Sequence, residues 1–331
     1  MTSPVTNVPL LEARSVYKHF PVRRGLLQRV VAKVRAVDGV DLEILPLETF
    51  GLVGESGCGK STLGRTLVRL LEPTSGEIRF QGEAITRLQG RETKRIRRDM
   101  QFIFQDSATS LNPRKTIGEI VAEGLLIHNI GTARERHSRA LEIMNRVGLG
   151  PALADRYPQE CSGGQRQRVG IARALVLEPK LVIADEPVSS LDVSIQSQVL
   201  NLLVDLRQRF GLTYLFIAHN LAVVTYIADR VAVMYLGKVV ELATSEDLLL
   251  NPLHPYTVSL LSAIPDVMAA RRRKRVILAG EIPSPMSPPS GCHFRTRCPI
   301  AQPICAEVEP TLVSGGRGHS VACHFPGTFS G

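Results

Sequence analysis

The sequence predicts an α/β protein built on a largely parallel sheet, followed by a small, loop-rich C-terminal extension. Three observations carry that reading. Short, continuously apolar runs recur along the chain, and each ends in polar residues. Stretches with helical apolar spacing separate them. Beyond Ala243 the texture changes to prolines, glycines and cysteines.

The runs come in order. Phe50–Val53 leads into a glycine-rich loop, Phe102–Phe104 into Gln105 and Asp106, Leu181–Ala184 into Asp185 and Glu186, and Tyr214–Ala218 into His219. Runs so short and uniformly apolar fit buried parallel strands, although periodicity alone does not exclude helix. Ligands of open α/β sheets gather outside the carboxyl ends of the strands, so the four polar ends predict one convergent site. Between the runs, Ser61–Leu71 lines up Leu63, Leu67, Leu70 and Leu71, and stops before Pro73. Arg166–Leu177 groups Val169, Ala172 and Val176. Residues 106–161 lack strand-like runs and read as a helical subdomain, and Arg230–Ala243 reads as a hairpin turning at Leu236-Gly237. A boundary near residue 245 separates a domain of residues 1–245 from an extension of residues 246–331. That extension has too little core of its own and needs a staple.

Composition narrows the class. The chain has 331 residues, 44% of them apolar, 5% aromatic and none Trp, so its core is aliphatic. No run reaches the roughly 18–20 apolar residues of a membrane span, and Met1–Pro21 has no signal-peptide block. A cytoplasmic protein with at most a peripheral membrane role is expected. The net charge of +9 is dispersed apart from Arg91–Arg98 and Arg271–Arg275, and no nucleic-acid module accompanies it. No nucleic-acid partner is expected.

The chemistry starts at Gly54-Glu55-Ser56-Gly57-Cys58-Gly59-Lys60-Ser61-Thr62, whose Gly-x4-Gly-Lys-Ser spacing is that of a phosphate-binding loop. Glycines let backbone N–H groups close on phosphate oxygens at a helix N-terminus. Lys60 supplies a point charge, and the Ser61 hydroxyl suits Mg²⁺. Chance yields such a pattern in roughly one or two chains of this length per hundred. Its place between an apolar run and an amphipathic helix makes a plain glycine turn rarer still. An apolar run ending in Asp185-Glu186 fits the other half of the site: one acid holds the metal and the next polarises the attacking water. Ser162-Gly163-Gly164-Gln165, just before a helix, is a second anion-binding start or, standing alone, an ordinary N-cap. Cys58 reads as a small spacer rather than a redox control.

The order phosphate loop, Gln105, Ser-Gly-Gly-Gln, Asp-Glu, Ser-Ser-Leu-Asp192, His219 resembles the ATPase subunit of an ABC transporter across residues 10–245. That resemblance implies a P-loop ABC ATPase core: a mostly parallel sheet with an antiparallel β subdomain and a helical subdomain. It also implies roles. Gly54 to Thr62 bind ATP, and Phe20 stacks on adenine, with Tyr17 close by. Ser61, Gln105 and Asp185 hold Mg²⁺. Glu186, His219 and Gln105 are catalytic. Ser162, Gly163, Gly164 and Gln165 form the signature that contacts the partner's ATP, and Asp192 belongs to the D-loop. Cys161 departs from the leucine of many relatives. Two such ATPases close on two ATP molecules, so the chain is expected to work in a dimer.

The tail resembles the C-terminal extension of oligopeptide and dipeptide importer ATPases. The resemblance rests on His254-Pro-Tyr-Thr-Val-Ser-Leu-Leu-Ser-Ala-Ile-Pro265, Gly280-Glu-Ile-Pro-Ser-Pro285 and Pro288-Pro-Ser-Gly-Cys292-His-Phe-Arg-Thr-Arg-Cys298-Pro. The inserted Pro21–Lys33 segment resembles the second ATPase of such systems. The implied partners are a different sister ATPase in a heterodimer, two membrane permeases and an external peptide-binding protein. The implied place is the cytoplasmic face of the inner membrane. Importers of nickel, glutathione or other small solutes are alternatives, and a soluble ABC ATPase of DNA repair or translation is a remoter one. Cys292, Cys298, Cys305 and Cys323 are spaced more widely than structural zinc pairs. They suit a [4Fe–4S] cluster serving as a staple, and relatives with this tail resemble cluster-binding proteins; zinc and free thiols are the alternatives. His293 and His324 read as bystanders.

Overall fold

The computed structural model of the chain describes residues 8–25, 28–105, 107–189, 191–264, 276–316 and 318–329. The predicted basic run Arg271–Arg275 and Asp106 lie outside the described residues. The chain packs as two units. The first comprises the described residues of Met1–Leu45, Thr49–Thr86 and Ala218–Gly331, and the second those of Pro46–Glu48 and Arg87–Ile217.

In the first unit, β1 (Leu11–Arg24) and β2 (Arg29–Ile44) form a long, bulged antiparallel hairpin. Within the Pro21–Lys33 segment, Pro21 pairs with Lys33 and Arg24 with Arg29. β4 (Ser75–Phe80) pairs with β1 and then with the two-residue β5 (Glu83–Ala84). A second set of strands surrounds β3 (Thr49–Val53), which is buried throughout, as its uniformly apolar sequence requires. β3 runs parallel to β9 (Arg230–Tyr235), and β9 forms the predicted hairpin with β10 (Lys238–Thr244). Helix α1 (Lys60–Leu67) follows the phosphate loop and ends earlier than predicted, at the left-handed residue Arg69.

In the second unit, β6 (Met100–Ile103), β7 (Leu181–Asp185) and β8 (Thr213–Ala218) are parallel, with Leu181 in register with both Met100 and Thr213. Helix α2 (Gly90–Asp99) precedes β6. Between β6 and β7 lie the predicted helices: the short α3 (Ser107–Ser110), α4 (Ile117–Ile127), α5 (Ala133–Arg146) and α6 (Gly163–Leu175). Capping boxes start α4 at Thr116/Glu119, α5 at Thr132/Glu135 and α6 at Ser162/Gln165. The Ser162 cap explains why α6 begins three residues before the predicted Arg166. Helix α7 (Val193–Phe210) buries Val199, Leu200, Leu203 and Leu206 and ends at a left-handed Gly211.

The C-terminal extension is less isolated than its sequence implies. After α8 (Leu221–Ile227) and α9 (Ser245–Leu250), helix α10 (Pro255–Ser262) brings fully buried Tyr256 against Tyr235 of β9. Phe294, 1% exposed, completes the aromatic cluster, with ring centroids 5.2 Å from Tyr235 and 5.4 Å from Tyr256. Beyond the one-turn α11 (Ile304–Glu307), β11 (Val313–Ser314) pairs with β12 (Ser320–Val321), and β12 adds to the edge of β10. The staple predicted for the tail is therefore at least partly an aromatic core shared with β9. No described helix is long and apolar enough to cross a membrane.

Candidate functional site

The phosphate loop of the first unit is shaped by what surrounds it. Gly59 caps α1 with a φ of 108°, a left-handed region that disfavours side chains. A Cβ there would lie 1.9 Å from the Ala36 carbonyl oxygen, and one on Gly54 would lie 2.1 Å from that of Met234. The motif's two glycines are thus dictated by backbones packed against the loop. The helix ladder opens with Leu63 N–H donating to the Gly59 carbonyl. A first helical turn directs N–H groups outward, and the helix dipole adds partial positive charge. Lys60, 4% exposed, folds over the loop, its ammonium donating to the carbonyls of Gly54 (2.8 Å) and Glu55 (3.0 Å). Cys58 is buried, and burial pushes its thiol pKa up despite the nearby Lys60 charge, in keeping with a spacer.

The loop also meets residues absent from the sequence prediction. Glu55 N–H donates to the Tyr256 hydroxyl at 2.9 Å, and the Glu55 carboxylate accepts two bonds from the Arg297 guanidinium, at 2.7 and 3.0 Å. These partners lie 201 and 242 residues along the chain, and no local pattern announces them. His219, exposed, follows β8, and Asn220 beside it caps α8. Phe20 is half-buried on β1 opposite Val34, with the Lys18 ammonium 5.0 Å from its ring centroid. Tyr17 packs edge-on against His19.

The second unit holds the acids and the signature. Asp185 is the last residue of β7 and fully buried. Glu186 follows in a left-handed conformation, φ 46°, while its N–H continues the sheet ladder to the Ile217 carbonyl at 2.9 Å. Non-glycine residues held there are strained, and such strain gathers at functional sites. The structure brings two predicted residues together here: Gln105 Nε2 donates to Glu186 Oε2 at 2.9 Å. Ser162 Oγ accepts from Gln165 N–H at 3.3 Å, and Gln165 Oε1 accepts from Ser162 N–H at 2.8 Å, so the signature is also a helix cap. Asp192 caps α7 through Ile195 N–H, and that bond pulls its carboxyl pKa down. The Ser61 hydroxyl, the Gln105 amide oxygen and the Asp185 carboxylate are hard oxygen donors of the kind Mg²⁺ selects.

Of the predicted cysteine ligands, Cys305 is buried and Cys292, Cys298 and Cys323 are partly so. Cys292 N–H donates to the Cys305 carbonyl at 2.8 Å. Burial, reinforced by repulsion from Cys305, Cys298 and Cys323, pushes the Cys292 thiol up to about 11, and burial raises Cys298 and Cys323 as well. All six cysteines are free. Among the described residues, no group of three or more His, Cys, Asp or Glu is placed to hold a metal ion. His293 Nδ1 lies 3.3 Å from the Leu236 carbonyl oxygen and His324 Nε2 2.9 Å from that of Val308.

Comparison with known proteins adds to this geometry. Residues 37–189 match the family described as ABC transporter, and residues 240–305 match the oligopeptide/dipeptide transporter C-terminal region. The oligopeptide transport ATP-binding protein AppF of Bacillus subtilis is 54% identical over 318 residues, covering 95% of this chain and 97% of that one. A dimeric post-hydrolysis structure of the ATP-binding cassette MJ0796, bound to ADP and Pi, superimposes with a TM-score of 0.64 at 30% identity, covering 71% of this chain and 98% of its own. The structure of cbiO1 from Clostridium perfringens, part of an ABC transporter complex, gives 0.62 at 27% identity, covering 72% and 90%.

Proposed function

The chain belongs to the ATP-binding subunits of ABC transporters that carry the oligopeptide/dipeptide C-terminal region, and from that membership we propose that it hydrolyses MgATP to power peptide import across a membrane. The observation that carries the catalytic part is the Gln105–Glu186 hydrogen bond at the end of β7. Glu186 takes a proton from the attacking water, and the Gln105 amide fixes the carboxylate's orientation. Lys60 and the loop from Gly54 to Thr62 cradle the phosphates, and His219 meets the γ-phosphate. Phe20 receives the adenine. Ser61, Gln105 and Asp185 would hold Mg²⁺, which would supply charge neutralisation on the phosphates.

The catalytic site is completed by a second ATPase. Ser162, Gly163, Gly164 and Gln165 face the ATP of that partner, and Asp192 lies at the dimer seam. The dimeric state of MJ0796 supports this arrangement. The partner is a different sister subunit. The pair docks on two permeases at the cytoplasmic face of the membrane, supplied by an external peptide-binding protein. Within the chain, residues 1–245 form the ATPase domain, with residues 106–161 as its helical subdomain, and residues 246–331 form the importer-specific extension.

For that extension the reading is a [4Fe–4S] cluster on Cys292, Cys298, Cys305 and Cys323, with zinc as the alternative. The mutual influence of the thiols supports it. An anaerobic preparation is expected to contain iron and acid-labile sulfide and to absorb near ~400 nm; a colourless one with stoichiometric zinc overturns the cluster.

The function is tested by reconstituting the chain with its permeases and sister ATPase in vesicles and measuring ATP-driven uptake of labelled peptide. Replacing Glu186 with Gln keeps an acceptor for Gln105 but removes the base. ATP turnover is expected to drop roughly 10²–10⁴-fold with nucleotide still bound. Turnover within threefold of the unaltered complex refutes the role of Glu186, and ATP hydrolysis with no peptide uptake refutes the substrate.

A further inference from the structure

We propose that the C-terminal extension is part of the ATP-binding apparatus: Arg297 and Tyr256 position the phosphate loop, and Arg297 cancels a loop carboxylate that otherwise repels the nucleotide. This rests on the reading that the loop binds the phosphates of ATP.

Glu55 is the second residue of the loop, and each of its polar groups is tied down. Its N–H donates to the Tyr256 hydroxyl, its carbonyl accepts from the Lys60 ammonium, and its carboxylate accepts both Arg297 bonds. One residue thus joins the lysine that meets the nucleotide to two side chains of the extension. The anchors on the tail side are rigid. Tyr256 is fully buried, and the Arg297 side chain is only 8% exposed. The guanidinium lies 5.9 Å from the Tyr235 ring centroid, within the cluster of Tyr235, Tyr256 and Phe294. A planar fork held between an aromatic ring and a carboxylate loses little entropy on pairing, so this contact differs from an exposed surface ion pair.

The charge argument gives the pair a purpose beyond stapling. A loop that collects a highly anionic triphosphate carries a carboxylate of its own, 26% exposed at the side chain. Left unpaired, that charge opposes the phosphates in a partly desolvated setting where Coulomb interactions are strong. The bidentate guanidinium neutralises it and holds it turned toward the extension. A staple alone needs no particular charge on Glu55, and this separates the two roles.

The test is titration of the full-length chain with MgADP, which occupies the loop without turnover. Arg297→Ala is expected to weaken MgADP roughly tenfold. Adding Glu55→Gln to that variant is expected to recover most of the loss, because the uncompensated charge is gone. Arg295→Ala, two residues away and bonded to Ser290, is the control and is expected to bind like the unaltered chain. Circular dichroism on every variant checks folding, and Arg297→Lys, which keeps the charge and loses the fork, is expected to fall between. Unchanged affinity in Arg297→Ala, or a loss that Glu55→Gln does not relieve, overturns the proposal. Failure of the unaltered chain to bind MgADP instead refutes the functional reading on which it rests.

Discussion

Replacing Glu241 with Ala is expected to detach the extension at its root. Glu241 sits on β10, is fully buried, and accepts from three donors: Leu253 N–H at 2.6 Å, His254 N–H at 3.0 Å and His319 Nε2, 2.7 Å away. Two of these are the backbone entry to α10, and the third belongs to the loop leading into β12. Each donor left unsatisfied costs about 1–3 kcal/mol, giving about 3–9 kcal/mol before water relieves part of it. Removing one partner of a buried pair costs about 3–5 kcal/mol, and that lower range is the working figure. At 1.36 kcal/mol per decade, this corresponds to a loss of roughly 10²–10⁴-fold in the protection of the α10 amides. Hydrogen exchange read by mass spectrometry on the full-length chain measures it, with α4 of the second unit as the reference. Protection lost in residues 251–258 and kept in α4 is the expected pattern. Unchanged exchange at 251–258 refutes the anchoring role of Glu241, and equal loss in α4 refutes its being local.

The loop and the cap give two further expectations. Gly59→Ala forces a Cβ to within 1.9 Å of the Ala36 carbonyl oxygen at a φ of 108°, so the loop must move. MgADP affinity is expected to fall beyond detection in a titration while circular dichroism stays native. His254 accepts Tyr256 N–H at Nδ1 at 3.1 Å, and burial lowers its pKa from 6.5 to about 4. The unfolded chain therefore takes up the extra proton first. The contribution of neutral His254 is full above pH 6.5 and is lost as the pH falls to about 4, a span on the order of 3 kcal/mol. His254→Asn keeps an acceptor for the cap, and its urea midpoint is expected to vary less between pH 6.5 and 4 than that of the unaltered chain.

Much of this protein is legible in its sequence because the relevant physics is local. The Gly54-to-Ser61 spacing already specifies a turn, a nest of N–H groups and a helix start within eight residues. Ser162 three places before Gln165 is a capping box wherever it stands. The four apolar runs could only be buried strands or buried helices, and their length decided between the two. The Arg230–Ala243 hairpin followed from its turn. What the sequence left open depends on distant residues meeting. Helix ends shifted because caps and left-handed residues, not apolar periodicity, terminate helices. The tail's staple was sought in its cysteines, because four thiols are a visible pattern and a scattered aromatic cluster of Tyr235, Tyr256 and Phe294 is not. The loop's second residue is the clearest case. By itself, Glu55 is a carboxylate misplaced in a phosphate site, and only the fold brings Arg297 across 242 residues to neutralise it. Charge compensation is set by distance in space, which sequence order does not record, so the chain's own letters specified a loop with phosphate-binding spacing and the tertiary structure decided what holds that loop in place.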